Sequence, residues 1–583
     1  RWKVIDGLQL VGQAVIRKYD QDENVTNKKI INYDWDNNEV REKRTPNSAE
    51  RRYQKTLSKN FTLYADYKKN FNDRHDLSVM VGTSHESENY DRFTAKRINF
   101  DQQENMSLQL GSAQDQNAWS EGNQWTINSF FSRVNYTFAN KYVIEGTIRA
   151  DGSSRFDPDH RWGWFPGVNA AWRVGEEGFM KRLGWFEDLK VRASYGEMGN
   201  QSGIGLYDYI QLISLSNDYY PFGAGVKGQM ATSGNIISTS RTWETIQTTN
   251  VGFDFSTLNN RLYGSFDYFW KENKNMLIPK TYPSMLGADA PSTNSGHLSI
   301  HGWEISLGWR DQIKDFSYSV RFNISDAKNK VVDRVGSNLI QLGNNETPTG
   351  YPLNSYFGYE FDGIIQNEQE LEAYKSRFSE GGIPGDLSVG DAMYKDLDGD
   401  GKLSVLGDGK EGSGDVKYLG DKNPRYNFGF NLSMAWKGFD LSAFIQGVGR
   451  RTMFLEGESR CPMPEAWYQS AEYWYGKTWT PERTDAQYPA ITLKDKRNYN
   501  YYVSTNTKFN VAYARLKNLQ FGYTIPQTLT SKAGLQKVRV YFSGEDLFEV
   551  HNTPNGWDPE ENSGSITSYP FTRNYSFGIN VVF

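Results

Sequence analysis

Tyr142-Val143-Ile144-Glu145-Gly146-Thr147-Ile148-Arg149-Ala150-Asp151 alternates in character from Ile144 onward. One set of alternate positions carries Tyr142, Ile144, Gly146, Ile148 and Ala150, the other Glu145, Thr147, Arg149 and Asp151. Successive side chains of a strand point to opposite faces, so the stretch reads as a strand whose two faces meet different surroundings. Leu189, Val191, Ala193 and Tyr195 alternate in the same way with Lys190, Arg192 and Ser194. Leu262, Phe266, Tyr268 and Trp270 share one face of a third stretch, and Phe316, Tyr318, Val320, Phe322 and Ile324 one face of a fourth. The polar faces carry full charges, which a dry core does not tolerate but a water-filled lumen does. A soluble sandwich with its polar face outward shows the same alternation, so the connections must decide.

Read outward by alternation, the chain gives sixteen candidate strands: 2–16, 50–70, 75–100, 127–138, 141–152, 162–174, 187–197, 246–256, 260–272, 301–310, 315–326, 424–436, 438–448, 513–525, 536–543 and 574–583. Every second connection is short: 71–74, 139–140, 175–186, 257–259, 311–314, residue 437 and 526–535. The others are long, at 17–49, 101–126, 198–245, 273–300, 327–423, 449–512 and 544–573, with 153–161 the one short exception. Short turns on one rim and long loops on the other are the pattern of an outer-membrane β-barrel, turns periplasmic and loops extracellular. Counting back from the end places Arg1 and Phe583 on the short-turn side, which implies an even number of strands.

Composition agrees. The 583 residues are only 37% hydrophobic, with a mean hydropathy of −0.70, yet 15% are aromatic. No run of about 18 apolar residues is present, which excludes a helical membrane bundle. A net charge of −5 leaves no basic excess for phosphates, so no nucleic-acid partner is expected. Cys461 is the only cysteine and forms no internal disulfide. Arg1-Trp2-Lys3-Val4 opens without a basic segment and apolar run, so no signal peptide is expected in this chain. Trp164, Trp172, Trp270, Trp303, Trp309 and Trp436 lie near strand ends, where the two membrane interfaces take amphipathic rings. The last strand puts Tyr575, Phe577, Ile579, Val581 and Phe583 on one face, and its terminal Phe resembles the assembly signal of bacterial outer-membrane proteins.

Five stretches then resemble one family, the SusC/RagA-type TonB-dependent transporters of Bacteroidetes outer membranes. They are Arg149-Ala150-Asp151-Gly152-Ser153-Ser154-Arg155-Phe156, Gly163-Trp164-Phe165-Pro166-Gly167-Val168-Asn169-Ala170-Ala171-Trp172, Leu189-Lys190-Val191-Arg192-Ala193-Ser194-Tyr195-Gly196, Asp396-Leu397-Asp398-Gly399-Asp400-Gly401 and Ala514-Arg515-Leu516-Lys517-Asn518-Leu519. The resemblance implies a plug and a barrel of about 22 strands in a longer polypeptide. No plug or TonB box is recognisable in this sequence. Residues 1–583 are therefore expected to be the C-terminal portion of such a barrel, its plug and first strands supplied upstream or as a separate chain. The family further implies multi-pass residence among outer-membrane lipids, a SusD-like surface lipoprotein as lid, energy from the inner membrane through TonB, and an oligosaccharide or peptide as cargo.

The sharpest local motif is Asp396-Leu397-Asp398-Gly399-Asp400-Gly401-Lys402-Leu403-Ser404, inside the large loop 327–423. Oxygen ligands at positions 1, 3, 5 and 9 (Asp396, Asp398, Asp400, Ser404), glycine at 6 and a backbone carbonyl at 7 (Lys402) match a calcium loop. Position 12 is Gly407, so Asp408, or Asp391 instead, is expected to complete the site for Ca2+. The plainer reading is an acidic turn with solvated charges. In the aromatic-rich loop 449–512, Trp467, Tyr468 and Trp474, with Tyr219 and Tyr220 in another loop, have faces that stack on sugar rings and peptide side chains, and are candidates for binding substrate. The plainer reading, that such a long loop packs its aromatics into its own small core, is slightly favoured. Gly223-Ala224-Gly225-Val226-Lys227-Gly228 fits G-x-G-x-x-G without strand–turn–helix context and reads as a flexible loop.

No catalytic residues and no organic cofactor are expected: the six histidines form no H-E-x-x-H pair, and G-x-S-x-G is absent. The sequence thus reads as the barrel of an active nutrient importer. A passive porin of sixteen strands, a barrel enzyme using a cluster such as His160, Asp151 and Asp157, and a soluble sandwich are its rivals. Glycan and peptide cargo are not distinguished.

Overall fold

The computed structural model describes residues 1–216, 221–222, 226–227, 230–234, 236–279, 291–334, 343, 347–406, 414–464, 469–492, 495–561, 569 and 571–583. The alternating stretches become one antiparallel sheet of 17 strands, most of them pairing with the sheet strand that follows in the chain. Its strands are Trp2–Ile5, Leu8–Asn27, Ser48–Phe71, His75–Ile98, Gln116–Phe138, Tyr142–Ser153, Trp162–Arg173 and Asp188–Asn200, then Glu244–Thr257, Leu262–Pro279, Ser292–Ile313, Phe316–Asp333, Arg425–Trp436, Phe439–Arg450, Tyr513–Thr524, Lys537–His551 and Asn574–Val582.

The one strand expected over 2–16 is instead a hairpin, Trp2 pairing with Leu10 across Asp6-Gly7. Gly7 turns at φ +87°, and a Cβ there would lie 2.4 Å from the Lys68 carbonyl oxygen, so only glycine fits. The described sheet therefore has an odd number of strands, not the even number expected. The 17–49 connection is also shorter than expected, because strand runs on to Asn27 and a second hairpin pairs Ile30–Tyr33 with Glu39–Lys43. The two-residue turn Lys437-Gly438 between Trp436 and Phe439 has positive φ at both residues, as a hairpin whose twist matches its strands requires.

The chain packs as two units: Arg1–Ala170, Gly196–Ile246 and Leu277–Asn294 form one, Ala171–Tyr195, Gln247–Met276 and Ser295–Phe583 the other. In the first, register aligns Leu10, Ala65, Val81, Ser132 and Ile148 in one cross-strand row, and Gln13, Thr62, Ser84, Ser129 and Asp151 in a row on the opposite face. Leu63, Val81, Phe130 and Ile148 on the apolar face are exposed, and none of the described residues covers them. In the second unit the row nearest the short turns is Ile313, Phe316, Trp436, Phe439, Tyr523, Val540 and Ile579. The Phe439 and Tyr523 rings lie 4.5 Å apart within it. A one-residue slip of any strand would move its apolar set to the charged face, which fixes the register.

The larger buried clusters lie off the sheet. Ser355–Tyr359 pairs with Val416–Asp421, and Phe361–Ile364 with Ala392–Tyr394. Helix Glu368–Arg377 begins where Asn367 accepts the Glu370 N–H and Glu370 reaches back to the Gln366 N–H, and it buries Leu371 and Tyr374 against these strands.

Candidate functional site

The acidic motif lies in this off-sheet body, between Ala392–Tyr394 and Val416–Asp421. Asp396 closes the turn, accepting the Gly399 N–H at 2.7 Å and the Gly401 N–H at 3.0 Å. Gly399 and Gly401 both have positive φ, which lets the backbone curl around that carboxylate. The carboxylates of Asp396, Asp398 and Asp415 converge, with one oxygen of each within 4.8 Å of the others. Asp415 is buried and accepts the N–H groups of Leu397 and Ser404, while Asp398 takes that of Gly414. Burial, reinforced by the charges of Asp398 and Asp396, raises the Asp415 carboxyl above its ordinary range.

Of the residues singled out in sequence, Asp396 and Asp398 are brought together. Asp400 is exposed and accepts the Lys402 N–H, and Ser404 meets the group through its backbone N–H to Asp415. Asp391 lies elsewhere, holding Ser388 and the Asn500 amide. Asp408 lies outside the described residues. Asp415 escaped the sequence reading because it comes nineteen positions after Asp396, beyond any loop spacing, and only the pairing of Val416–Asp421 with Ser355–Tyr359 carries it back. Three carboxylates with no nitrogen or sulfur donor form a hard-oxygen set that suits calcium or a similar cation.

Several of the described loop aromatics pack. Trp474 is buried among Tyr473, Tyr488 and Tyr501, with Trp557 on the far side of Tyr473. The Tyr473 and Tyr488 hydroxyls hydrogen-bond at 2.6 Å. Trp467, Tyr468, Tyr219 and Tyr220 lie outside the described residues, as does most of the Gly223–Gly228 stretch. A second cluster gathers Tyr359, Tyr374, Tyr394 and Tyr499. In it the Tyr374 hydroxyl meets the Tyr499 hydroxyl at 2.7 Å and accepts the Tyr394 N–H at 2.9 Å. Tyr394 donates to the Tyr499 carbonyl, so chain segments a hundred residues apart share one core. Burial pushes the Tyr374 phenol up to about 12. Beside this core, Lys395 and Lys417 flank Glu360 and pull its carboxyl down to about 2.

Several charges on the polar face of the sheet are paired. Arg192 bridges Asp254 and Asp267, Arg149 pairs with Asp151 and Arg539 with Asp440. Arg515, only 2% exposed, gathers Asp558, Glu560 and Glu549. The acid–base cluster weighed in sequence is not assembled: Asp151 is engaged by Arg149, and Asp157 caps the 158–160 turn through the Asp159 N–H.

A wide antiparallel meander with an uncovered apolar face, a charged face and folded bodies in its longer connections defines a β-barrel membrane protein. The family model described as TonB dependent receptor-like, beta-barrel matches residues 13–547, and the chain belongs to that family of outer-membrane barrels. TonB-dependent receptor P3 of Formosa agariphila is 32% identical over 91% of the chain, and TonB-dependent receptor SusC of Bacteroides thetaiotaomicron 26% identical over 90%. The chain spans about half the length of each, 52% and 50%. Among solved structures, the RagAB peptide transporter superposes with a TM-score of 0.80 over 99% of this chain and 60% of that one, at 22% identity, a likeness of fold.

Proposed function

We propose that this chain is the barrel portion of an active nutrient importer, in which a SusD-like lipoprotein captures an oligosaccharide or peptide and TonB, acting on a plug, opens the way through the lumen. The observation that carries it is the 32% identity to a TonB-dependent receptor sustained over 91% of the chain, strand after strand. SusC at 26% and the fold of a peptide transporter support the same reading. The paired charges of Arg192, Arg149 and Arg539 suit a face that water wets. Purifying the full-length protein from native outer membranes in mild detergent tests it. A stoichiometric lipoprotein and a bound glycan or peptide are expected; a lone chain with neither overturns the reading.

Within the same reading, Asp396, Asp398 and Asp415 hold a calcium-type cation that fixes the 396–404 turn to the start of Val416–Asp421. The cation supplies positive charge where three carboxylates converge, and the chain's part is to present their oxygens from a backbone already curled by Gly399 and Gly401.

A further inference from the structure

On the apolar face of the first unit, aromatic rings return where lipid no longer reaches. The last apolar residue of the band on strand Leu8–Asn27, Ile16, stands in one cross-strand row with Lys59, Ser87 and Thr126. Next come Lys18, Leu57, Asn89 and Gln124, then Asp20, Lys55, Asp91 and Gly122. In the row after that, Tyr53 and Phe93 oppose each other across the ladder, flanked by Asp22 and Ser120. Phe93 lies six residues beyond Ser87, which at about 3.3 Å each and a tilt of about 40° is roughly 15 Å above the band. Tyr53 and Phe93 are nevertheless 47% and 52% exposed, so their rings meet something other than acyl chains. The Tyr53 hydroxyl donates to Asp20 Oδ1 at 3.0 Å, which fixes that ring in place.

One row further from the membrane, on the same face, a cavity of about 770 Å³ opens, of a size that takes a small organic ligand. Its floor carries the small side chains of Ala49, Ala95 and Ala118. Its wall is the connection 99–115, folded back so that Met106 and Leu108 pack with Ala49 and Phe100. That wall is anchored. The Asn47 side chain exchanges hydrogen bonds of 2.7 and 2.8 Å with the Phe100 backbone, and Gly111 passes so close that a Cβ there would lie 2.8 Å from both Arg97 and Phe100. The two arginines of this face already have acceptors: Arg51 grips Asp22 at 2.7 Å, and Arg97 donates to the Gln109 and Gly111 carbonyls and to Gln116 Oε1. The side chains of Asn24, Ser107 and Gln109 line the cavity and make no hydrogen bond among the described residues.

We propose that this face is a saccharide-binding site, with Tyr53 and Phe93 as the ring platform and the cavity above them as the cleft for hydroxyl groups. The proposal rests on the reading of the chain as an outer-membrane barrel with its long connections outside, and it places the site on the opposite face of the sheet from the lumen. A pyranose presents C–H groups on its flat side and hydroxyls around its rim, which matches exposed rings beside open amide and hydroxyl groups. Those open groups bind neutral hydroxyls rather than anions. Two sources share this chemistry: a free oligosaccharide, and the saccharide of outer-leaflet lipopolysaccharide, which surrounds a barrel at this height.

The test uses the full-length protein in detergent and calorimetric titration with two sets of probes. One is neutral hexasaccharides of glucose, galactose and mannose; the other is the lipid-free saccharide released by mild acid from the lipopolysaccharide of the host membranes. A probe from at least one set is expected to bind, and the set that binds identifies the source. Y53S/F93S is expected to weaken that binding about tenfold through loss of two ring contacts. No binding of either set to the unaltered protein overturns the proposal. So does equal affinity in a Y53S/F93S protein that keeps the heat-modifiable gel mobility of a folded barrel, because the sugar is then held elsewhere. If that variant loses the mobility shift, N24A/Q109A replaces it, with the same loss expected. A variant that changes oligomeric state while its sugar affinity stays the same assigns the rings to a protein contact and also overturns the proposal. An unaltered protein without the mobility shift fails as a barrel, a result distinct from a folded barrel that binds no sugar.

Discussion

Tyr374 shows how much one hydroxyl carries. It accepts the buried Tyr394 N–H and meets the buried Tyr499 hydroxyl, so Tyr374→Phe strands two polar groups in one core. A cost of about 1–3 kcal/mol to that body is expected, read as faster hydrogen exchange at 392–394 and 495–500 while the sheet amides stay protected. Asp415→Asn is expected to weaken calcium binding at least about tenfold by calorimetry. With its carboxyl raised, Asp415 holds its proton to a higher pH than an ordinary aspartate, so cation affinity falls as pH is lowered toward that range. Equal calcium heats for the unaltered and D415N proteins would dismiss Asp415 as a ligand, and no binding heat in the unaltered protein would dismiss the cation. The Asp396 motif was legible because its glycine and aspartate spacing is local. Asp415 was not, because its place depends on a strand pairing far along the chain.

At the scale of elements, alternation carried nearly all of the sheet, since a strand with lipid on one side and water on the other writes both environments into its period. Its ends were harder. Gln116–Phe138 begins eleven residues before the alternation becomes clear at Ile127, because above the membrane both faces meet water and the contrast disappears. The Asp6-Gly7 turn was missed although Asp-Gly is a strong hairpin signal, because apolar residues on both sides read as one continuous strand. The faces give a paired prediction. Val81→Arg puts a charge into the apolar band and is expected to cost about 2–4 kcal/mol in urea unfolding from lipid, whereas Ser84→Arg on the polar face costs less than about 1 kcal/mol. Equal costs would mean that the faces are misassigned.

For the molecule as a whole, low hydropathy with abundant aromatics follows from a wetted polar face, interfacial rings such as Trp436 and Phe439, and connections that keep their own cores around Tyr394 and Trp474. The family was legible through motif resemblance. Cargo was not, since several of the aromatics expected to contact it lie in long connections and Trp474 is consumed in packing. The central claim is that import through this barrel is driven by TonB. The direct measurement is uptake of the co-purified glycan or peptide by cells carrying the full-length protein, with TonB present and then depleted. Uptake that stops on depletion is the expected result; uptake that continues at an unchanged rate would make the barrel a passive pore and contradict the account.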